Sequence, residues 1–389
     1  MREGWEYKKL GEVCEVVSGS TPKTNVPEYW GEGHYWVTPA ELNETIVYID
    51  KTERQITDEA LAKTKLRLLP VGTVLLSSRA PIGKVAITKT EMYCNQGFKN
   101  CICSDSIYNK YLFYFLRLKK EYLNSLGRGA TFKEISKSIV ESISIPLPPK
   151  FTQLAIVSEL DKINELIRLK KEQLKDSDNL AQSLFYEMFG DPVENEKGWE
   201  VKKLNNICDV RDGTHDSPKY LQNSEYILIT SKNIVNGSID FENVNYISEE
   251  DYIKINKRSK VDNGDIIMPM IGTIGNPIIA HIDGTHKFCI KNVALIKFLA
   301  DSTVNNMFIV NLMRCSSFSS YLLNQNKGGT QKFVALGAIR KLPIPLPPLP
   351  LQHLFAQRIE QIEQQKAEVQ KAITDLETLL ASRMQYWFE

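Results

Sequence analysis

No run of about 18 uninterrupted apolar residues occurs anywhere in the sequence, so nothing in it reads as a membrane-spanning helix and no membrane partner is expected. Its first residues, Met1-Arg-Glu-Gly-Trp-Glu-Tyr-Lys, are polar and lack the apolar stretch of a secretion signal; a cytoplasmic location is the expectation. The seven cysteines are an odd number and are scattered, and the one close pair, Cys101 and Cys103, is a CxC and not a CxxC. That excludes a disulfide framework and favours reduced, structural thiols. The five histidines (His34, His215, His281, His286 and His353) show neither HxxxH nor HExxH spacing, so no metal site is expected. A GxxxxGK[ST] loop is missing too: Ile82-Gly-Lys-Val lacks the upstream glycine and the hydroxyl that would hold magnesium.

Two weaker catalytic signals fail on inspection. Leu147-Pro-Pro-Lys and Leu346-Pro-Pro-Leu resemble the tetrapeptide of amino-methyltransferases only superficially, because leucine stands where that chemistry needs Asn or Asp. Asp191 to Lys197 offers acids and a lysine in a loose nuclease-like grouping, but in a linker with no strand to fix its geometry. No catalytic residue, metal or cofactor is therefore expected in this chain.

What is present is a globular composition, 42% apolar and 24% charged over 389 residues, which is too long for one ordinary core and suits two domains. The net charge is only +1. The basic residues nevertheless segregate. Six fall between Leu61 and Thr90 and six between Ser302 and Ile359, and neither window contains an acid. Each window alone fits a solvated face; two of them favour local electropositive surfaces.

The chain is one module written twice. Gly4-Trp-Glu-Tyr-Lys-Lys-Leu returns as Gly198-Trp-Glu-Val-Lys-Lys-Leu, Gly72-Thr-Val-Leu-Leu as Gly264-Asp-Ile-Ile-Met, and Ile145-Pro-Leu-Pro-Pro as Ile344-Pro-Leu-Pro-Pro. After each double proline an apolar four-three spacing begins. In the first copy it runs Ile156, Leu160, Ile163, Ile167, Lys170, Leu174, Ser177, Ala181, Leu184, Met188. In the second it runs Phe355, Ile359, Ile362, Lys366, Val369, Ile373, Leu376, Leu380, Arg383, Trp387. This spacing predicts two coiled-coil helices of roughly 35 residues, about 50 Å each. Their seams are expected to bury against each other, antiparallel if the copies are related by a two-fold axis. The proline runs at 146–149 and 343–350 mark where each head stops, and Gly190-Asp-Pro closes the first helix. The expected division is a head over 1–150, a helix over 151–190, a second head over 191–349 and a second helix over 350–389.

The heads read as mixed α/β (α+β). Val71–Leu76, Lys84–Thr88, Tyr226–Thr230 and Asp265–Met268 are short, β-branched and turn-bounded. Tyr108–Asn124 and Asn305–Asn324 read as helices with core-facing aromatic and leucine stripes. Polar loops occur at matching places, with residue types that suit DNA. Arg, Asn and Gln can contact base edges, while Lys, Ser, Thr and backbone amides meet phosphates. In the first head the candidates are Ser18, Ser20, Thr21, Lys23, Thr38, Ser77, Ser78, Arg79, Lys84, Asn95, Gln96, Lys99, Arg128, Thr131 and Lys133. In the second they are Arg211, His215, Lys219, Ser231, Lys232, Asn233, Thr273, Lys291, Asn292, Lys327, Thr330, Gln331 and Lys332. A duplicated frame with unlike loops would read two unlike half-sites, whereas a homodimeric reader sees a palindrome.

Gly4-Trp-Glu…Lys-Leu-Gly-Glu-Val with Ser18-Gly-Ser-Thr-Pro, Gly129-Ala-Thr-Phe-Lys-Glu-Ile through Ile145-Pro-Leu-Pro-Pro, Ser183-Leu-Phe-Tyr-Glu-Met-Phe-Gly-Asp and their second-copy counterparts make the chain resemble the specificity subunit of type I restriction-modification systems. The resemblance spans essentially the whole sequence. It implies two target-recognition domains in a pseudo-two-fold arrangement, joined by two long antiparallel coiled-coil helices that set the gap in a bipartite, asymmetric double-stranded DNA site. It also implies two modification subunits that supply S-adenosylmethionine and adenine methylation, and restriction subunits that supply the ATP- and magnesium-dependent translocase and nuclease. One departure stands out. The family often has Glu-Gln shortly after the double proline, whereas Thr152-Gln153 and Leu351-Gln352 stand here, which puts any contact of that glutamate in doubt. The alternatives are the specificity component of another restriction or phage-defence system, or a coiled-coil scaffold whose heads bind proteins.

Overall fold

The computed structural model describes residues 4–79, 81–128, 133–235, 237–272, 274–299, 302–324 and 333–389. Contact density divides the chain into two compact units, one of Met1–Lys171 with Lys371–Glu389 and one of Glu172–Gln370. Each unit therefore holds a head and a segment of both long helices.

In the first unit a five-stranded sheet runs in the order Cys14–Ser18, Lys99–Cys103, Val74–Leu76, Val85–Thr88, Tyr48–Ile49. A three-stranded sheet runs Gln55–Ile56, Trp30–Val37, Tyr93–Cys94, its last pair parallel. The second unit repeats the plan: Asp209–Asp212, Val293–Lys297, Ile266–Pro269, Ile278–Ile279 in one sheet, and Asn245–Tyr246, Tyr226–Ile229, Lys287–Ile290 in the other, again with a parallel last pair. The central strands Val74–Leu76 and Ile266–Pro269 are buried at every residue, so continuous apolar runs replace alternation there. The segments at 108–124 and 305–324, expected as single helices, are each broken in two. Asn109–Leu118 is followed by Lys120–Leu126, and Asn306–Arg314 by Ser316–Asn324.

The prolines do more than stop a helix. Ser144–Leu147 and Pro343–Leu346 are strands, paired antiparallel with Glu6–Lys9 and Glu200–Lys203 in two-stranded ribbons. A ribbon edge tolerates Pro146 and Pro345 because the missing N–H costs no central ladder bond. Beyond each ribbon a fully buried glutamine fixes the turn into the helix. Gln153 donates to Ser106 O and Pro148 O at 2.9 Å each and accepts from the Tyr108 N–H at 2.8 Å. Gln352 donates to Pro347 O at 2.8 Å and Thr303 O at 3.4 Å and accepts from the Asn305 N–H at 2.9 Å. Glutamine thus stands at this place in both copies, with a structural task that needs no neighbouring glutamate.

Each long helix has 40 residues, Lys150–Phe189 and Leu349–Phe388, about 60 Å at 1.5 Å per residue. Within each unit the two segments run antiparallel. In the first, Glu159 meets Arg383 and Lys171 meets Glu377; in the second, Asp178 meets Lys366 and Phe185 meets Phe355. Of the expected seam, Ile156, Leu160, Ile163, Ile167, Phe355, Ile359, Ile362, Val369 and Ile373 are buried, while Leu174, Leu376 and Leu380 are half-buried.

The heptad register slips towards the helix ends. Phe185 and Phe189 are buried, at 1% and 3% exposure, where Leu184 and Met188 were expected, and Phe388 (3%) replaces Trp387. Phe185 follows Ile156, Phe189 follows Leu160 and Phe388 follows Ile359 by 29 residues. At about 100° per residue 29 residues complete about eight turns, whereas four heptads fall about 80° behind. The buried stripe follows the 3.6-residue period of an ordinary helix. These phenylalanines plug the head cores. Phe189 lies 4.9 Å from the Phe308 ring, and Phe388 5.0 Å from its counterpart, Tyr111.

Replacing Gln153 or Gln352 by alanine leaves three backbone groups, one of them buried, without their side-chain partner and should cost about 1–3 kcal/mol in urea unfolding of the whole chain. A loss below about 0.5 kcal/mol would show that water takes over the clamp. A second test concerns pH. The Arg383 guanidinium, aided by the Trp387 indole N–H, outweighs burial and holds the Glu159 carboxyl below its ordinary value. Its contribution to stability is full above the unfolded pKa and is lost as pH falls through the lower folded one. The stability of Glu159→Gln should therefore fall less steeply than that of the unmodified chain on acidification below about pH 5; parallel acid limbs would refute this.

Candidate nucleic-acid interface

Four loops of the first head converge at one end of its sheets. Gly19 closes the first onto the strand behind it: its N–H donates to Phe98 O at 3.2 Å, the next N–H (Ser20) to Cys94 O at 2.9 Å, and a Cβ on Gly19 would overlap the Asn95 carbonyl oxygen. Glycine is there for clearance, not for backbone freedom. Thr21 Oγ1 then donates to Gln96 Oε1. Two tryptophans brace the same loop from below, Trp36 donating its indole N–H to Ser20 O and Trp30 to Lys23 O, both at 3.2 Å. The Arg54 guanidinium lies 3.9 Å from the centroid of the Trp30 ring.

The loop after Val74–Leu76 is tied to the others through its backbone. Ser78 N–H donates to Gly97 O at 2.7 Å and Ile135 N–H to Ser78 O at 3.0 Å. Ser77 Oγ bonds inside the loop to Pro81 O at 2.7 Å, and Lys84 Nζ reaches Pro39 O at 2.9 Å. Arg79 Nε donates to Glu134 Oε2 at 2.9 Å, and Lys99 Nζ to Glu134 Oε1 at 3.1 Å. Burial alone would raise the Glu134 pKa, but the bonds from Lys99 and Arg79 together lower it, so the carboxylate stays charged at neutral pH.

The second head repeats this lattice with other side chains. Gly213 N–H donates to Val293 O and Thr214 N–H to Ile290 O, both at 3.0 Å, and a Cβ on Gly213 would overlap Ile290 O. The residues facing across the loops are now His215, with Nε2 2.8 Å from Asp212 Oδ2 and Nδ1 2.8 Å from Asn292 Oδ1. Asp212, 6% exposed, also accepts from Arg258. Lys291 Nζ donates to Ser217 Oγ at 2.7 Å, and Arg211 is pinned to Asp209 at 2.8 Å.

The candidate residues therefore divide. Ser18, Ser20, Lys23, Arg79, Gln96, Arg128, Lys133, His215, Lys219 and Lys232 are exposed; Thr21, Thr38, Lys84, Asn95, Arg211, Ser231 and Asn292 are half-buried. Ser77, Ser78, Lys99, Asn233 and Lys291 are enclosed in the unbound chain. Asn233 serves its own turn, accepting from Thr230 N–H at 3.0 Å and donating to Asn243 O at 2.9 Å; Glu41 does the same for Thr38 at 2.6 Å. Thr131, Thr273, Lys327, Thr330, Gln331 and Lys332 lie outside the described residues. Glu134, Arg258, Trp30, Trp36 and Arg54 were missed from sequence. Nothing local marks Glu134 as the partner of a residue 55 positions away.

All seven cysteines are free, six of them buried, and burial pushes the Cys208, Cys289 and Cys315 thiols up to about 12. Among the described residues no group of three or more His, Cys, Asp or Glu is placed to hold a metal ion. No helix among them is long and apolar enough to cross a membrane.

With this geometry in hand, similarity to known proteins becomes informative. The type I restriction modification DNA specificity domain matches residues 2–177 and again 196–378. The type I restriction enzyme MjaIX specificity subunit of Methanocaldococcus jannaschii is 32% identical, over 96% of this chain and 90% of its own length. The MjaVIII specificity subunit of the same organism is 26% identical, over 97% and 92%. Among solved structures, the type I restriction-modification S subunit from M. genitalium aligns over 99% of this chain and 96% of its own with a TM-score of 0.54 at 15% identity. A chain from a study of complex assembly and conformational transition in the type I R-M system aligns over 99% and 97% with a TM-score of 0.64 at 19% identity. At those identities the structures attest to the fold.

Gly19→Ala should break the junction of the loops and lower stability by more than about 2 kcal/mol, the range for forced strain at a packed backbone. Thermal unfolding measures it, and a neutral result would mean the strand shifts freely.

Proposed function

The chain belongs to the family of type I restriction modification DNA specificity proteins, and we propose that each of its heads reads one half of a bipartite, asymmetric DNA site. The observation that carries this reading is the duplicated loop lattice. The same backbone bonds at Gly19 and Gly213 present unlike side chains, Thr21 with Gln96 in one head and His215 with Asn292 in the other. A frame that is held while its polar tips differ suits two readers of different sequences.

The long helices set the gap between the half-sites and carry the docking faces for two modification subunits. Restriction subunits complete the assembly. This chain is non-catalytic: S-adenosylmethionine is bound by the modification subunits, and ATP and magnesium by the restriction subunits. The missing phosphate loop and the net charge of +1 support this division of labour, because a subunit that shares its DNA with partners need not neutralise all the phosphates itself. The complex works in the cytoplasm, where the DNA it modifies lies.

Sequencing the methylated adenines of cells that carry this gene with its modification partner tests the reading. A two-part motif with a fixed gap is expected; a single short motif or none would overturn it, and footprinting that protects no bipartite site would favour a protein-binding scaffold. The role of the helices has its own test. Deleting residues 168–174 together with 370–376 shortens each helix by about 10 Å. The required gap should shrink by about three base pairs, at about 3.4 Å each, with both half-sites unchanged. An unchanged gap would exclude a ruler.

A further inference from the structure

We infer that Arg79 is a base-reading side chain of the first head, that Glu134 and Lys99 are its positioning residues, and that the base it reads is guanine. This rests on the proposal that the heads read DNA.

The guanidinium has five N–H groups in one plane. Its Nε–H is spent on Glu134 Oε2 at 2.9 Å, which fixes the plane. Among the described residues neither Nη nitrogen has a partner, and the side chain is 46% exposed. What faces outward is a pair of parallel donors on a held support. Lys99, with its side chain only 10% exposed, takes the other carboxylate oxygen. The carboxylate is thus gripped from both sides, and Arg79 cannot swing away without leaving it half-paired.

Two ligands accept a forked pair of donors: a phosphate, and the O6 and N7 of guanine in the major groove. The carboxylate decides between them. The Glu134 charge weakens the pull of the guanidinium on a phosphate, whereas hydrogen bonds to an uncharged base edge lose little by it. An arginine meant for phosphate gains from standing free; one meant for a base gains from being aimed.

The second head shows that the trio is not needed for folding. Its backbone repeats the bonds around the site: Val334 N–H donates to Met270 O at 3.0 Å as Ile135 N–H does to Ser78 O, and the bridge between Arg79 and Glu134 returns between Ile271 and Phe333. The strand aligned by Gly19 and Gly213 sets Ala294 in the place of Lys99. All three charged residues are exchanged together for apolar ones on an unchanged frame. The Arg79–Glu134 pair, 46% and 32% exposed, contributes little stability, so the joint presence of the trio in one head and its joint absence in the other point to a task particular to the first half-site.

The test uses the full chain expressed with its modification partner, reading the methylated motif of the unmodified protein and of Arg79→Ala, Arg79→Lys and Glu134→Gln. The motif of the unmodified chain should contain a guanine that becomes any base in Arg79→Ala. Discrimination there should fall about 5- to 150-fold, with every other position of both half-sites retained. Arg79→Lys, which keeps the charge but not the fork, should relax the same position. Glu134→Gln should keep the guanine with weaker discrimination, an effect confined to that base. Intact reading of the second half-site reports that each variant is folded. The inference is overturned if Arg79→Ala leaves the motif unchanged, if it lowers methylation evenly without relaxing a position, as loss of a phosphate contact would, or if Arg79→Lys reads guanine normally. No bipartite motif from the unmodified chain would instead sink the reading on which the inference rests.

Discussion

A helix of 40 residues with an apolar stripe cannot hide that stripe by itself, and the rest of this molecule is arranged around that constraint. Each compact unit meets it by bringing a segment of one long helix against an antiparallel segment of the other and then closing the pair over a head. The stripe ends in phenylalanine on both helices, and those rings enter the head cores. Phe189 packs edge-to-face against Phe308 and Phe355, and Phe388 packs against Tyr111 and Phe115. Neither head is therefore a self-contained globule with a stalk. The first unit is completed by the last residues of the chain, the second by the end of the first helix. Burying Phe185 and Phe189 at one junction and Phe388 at the other makes helix and head one cooperative body within a unit.

The turn from head to helix is the second fixed point. A ribbon strand, a double proline and a buried glutamine recur in both copies with matching partners, so the direction in which each helix leaves its head is set by hydrogen bonds to the backbone. Backbone partners do not depend on side-chain identity, which is why this junction survives divergence of the sequence around it. The same logic holds in the loop lattice, where Gly19 and Gly213 are constrained because a side chain there would strike a carbonyl oxygen.

Much of this was legible in the sequence. The repeat, the strands beginning near Val74 and Ile266, the helix starts after the prolines and the first half of each seam follow from local pattern. The ends of the seam did not, because a strict heptad was extended where the helix keeps its own period; the burial of Phe185 in place of Leu184 is the accumulated difference. Contacts that depend on tertiary closure were also out of reach. Glu134 pairs with Arg79 across an antiparallel bridge, and Trp30 and Trp36 donate to carbonyls of a loop that precedes them. A sequence shows which groups can bond, but loop closure decides which of them meet. Residues such as Asn233, chosen for their chemistry, prove to be satisfied within their own turn.

The same pairings shape the charge of the candidate surfaces. Several cations at the candidate surfaces are held against acids: Arg79 and Lys99 against Glu134, Arg258 against Asp212, Arg211 against Asp209. A free lysine or arginine attracts any phosphate, and a surface of such residues binds DNA without regard to sequence. Holding a cation against a carboxylate weakens that general attraction while leaving directional donors, such as the Nη groups of Arg79, available to a neutral acceptor. Such an arrangement lowers affinity for arbitrary DNA in favour of discrimination between bases, which suits the proposed reading of DNA by the heads.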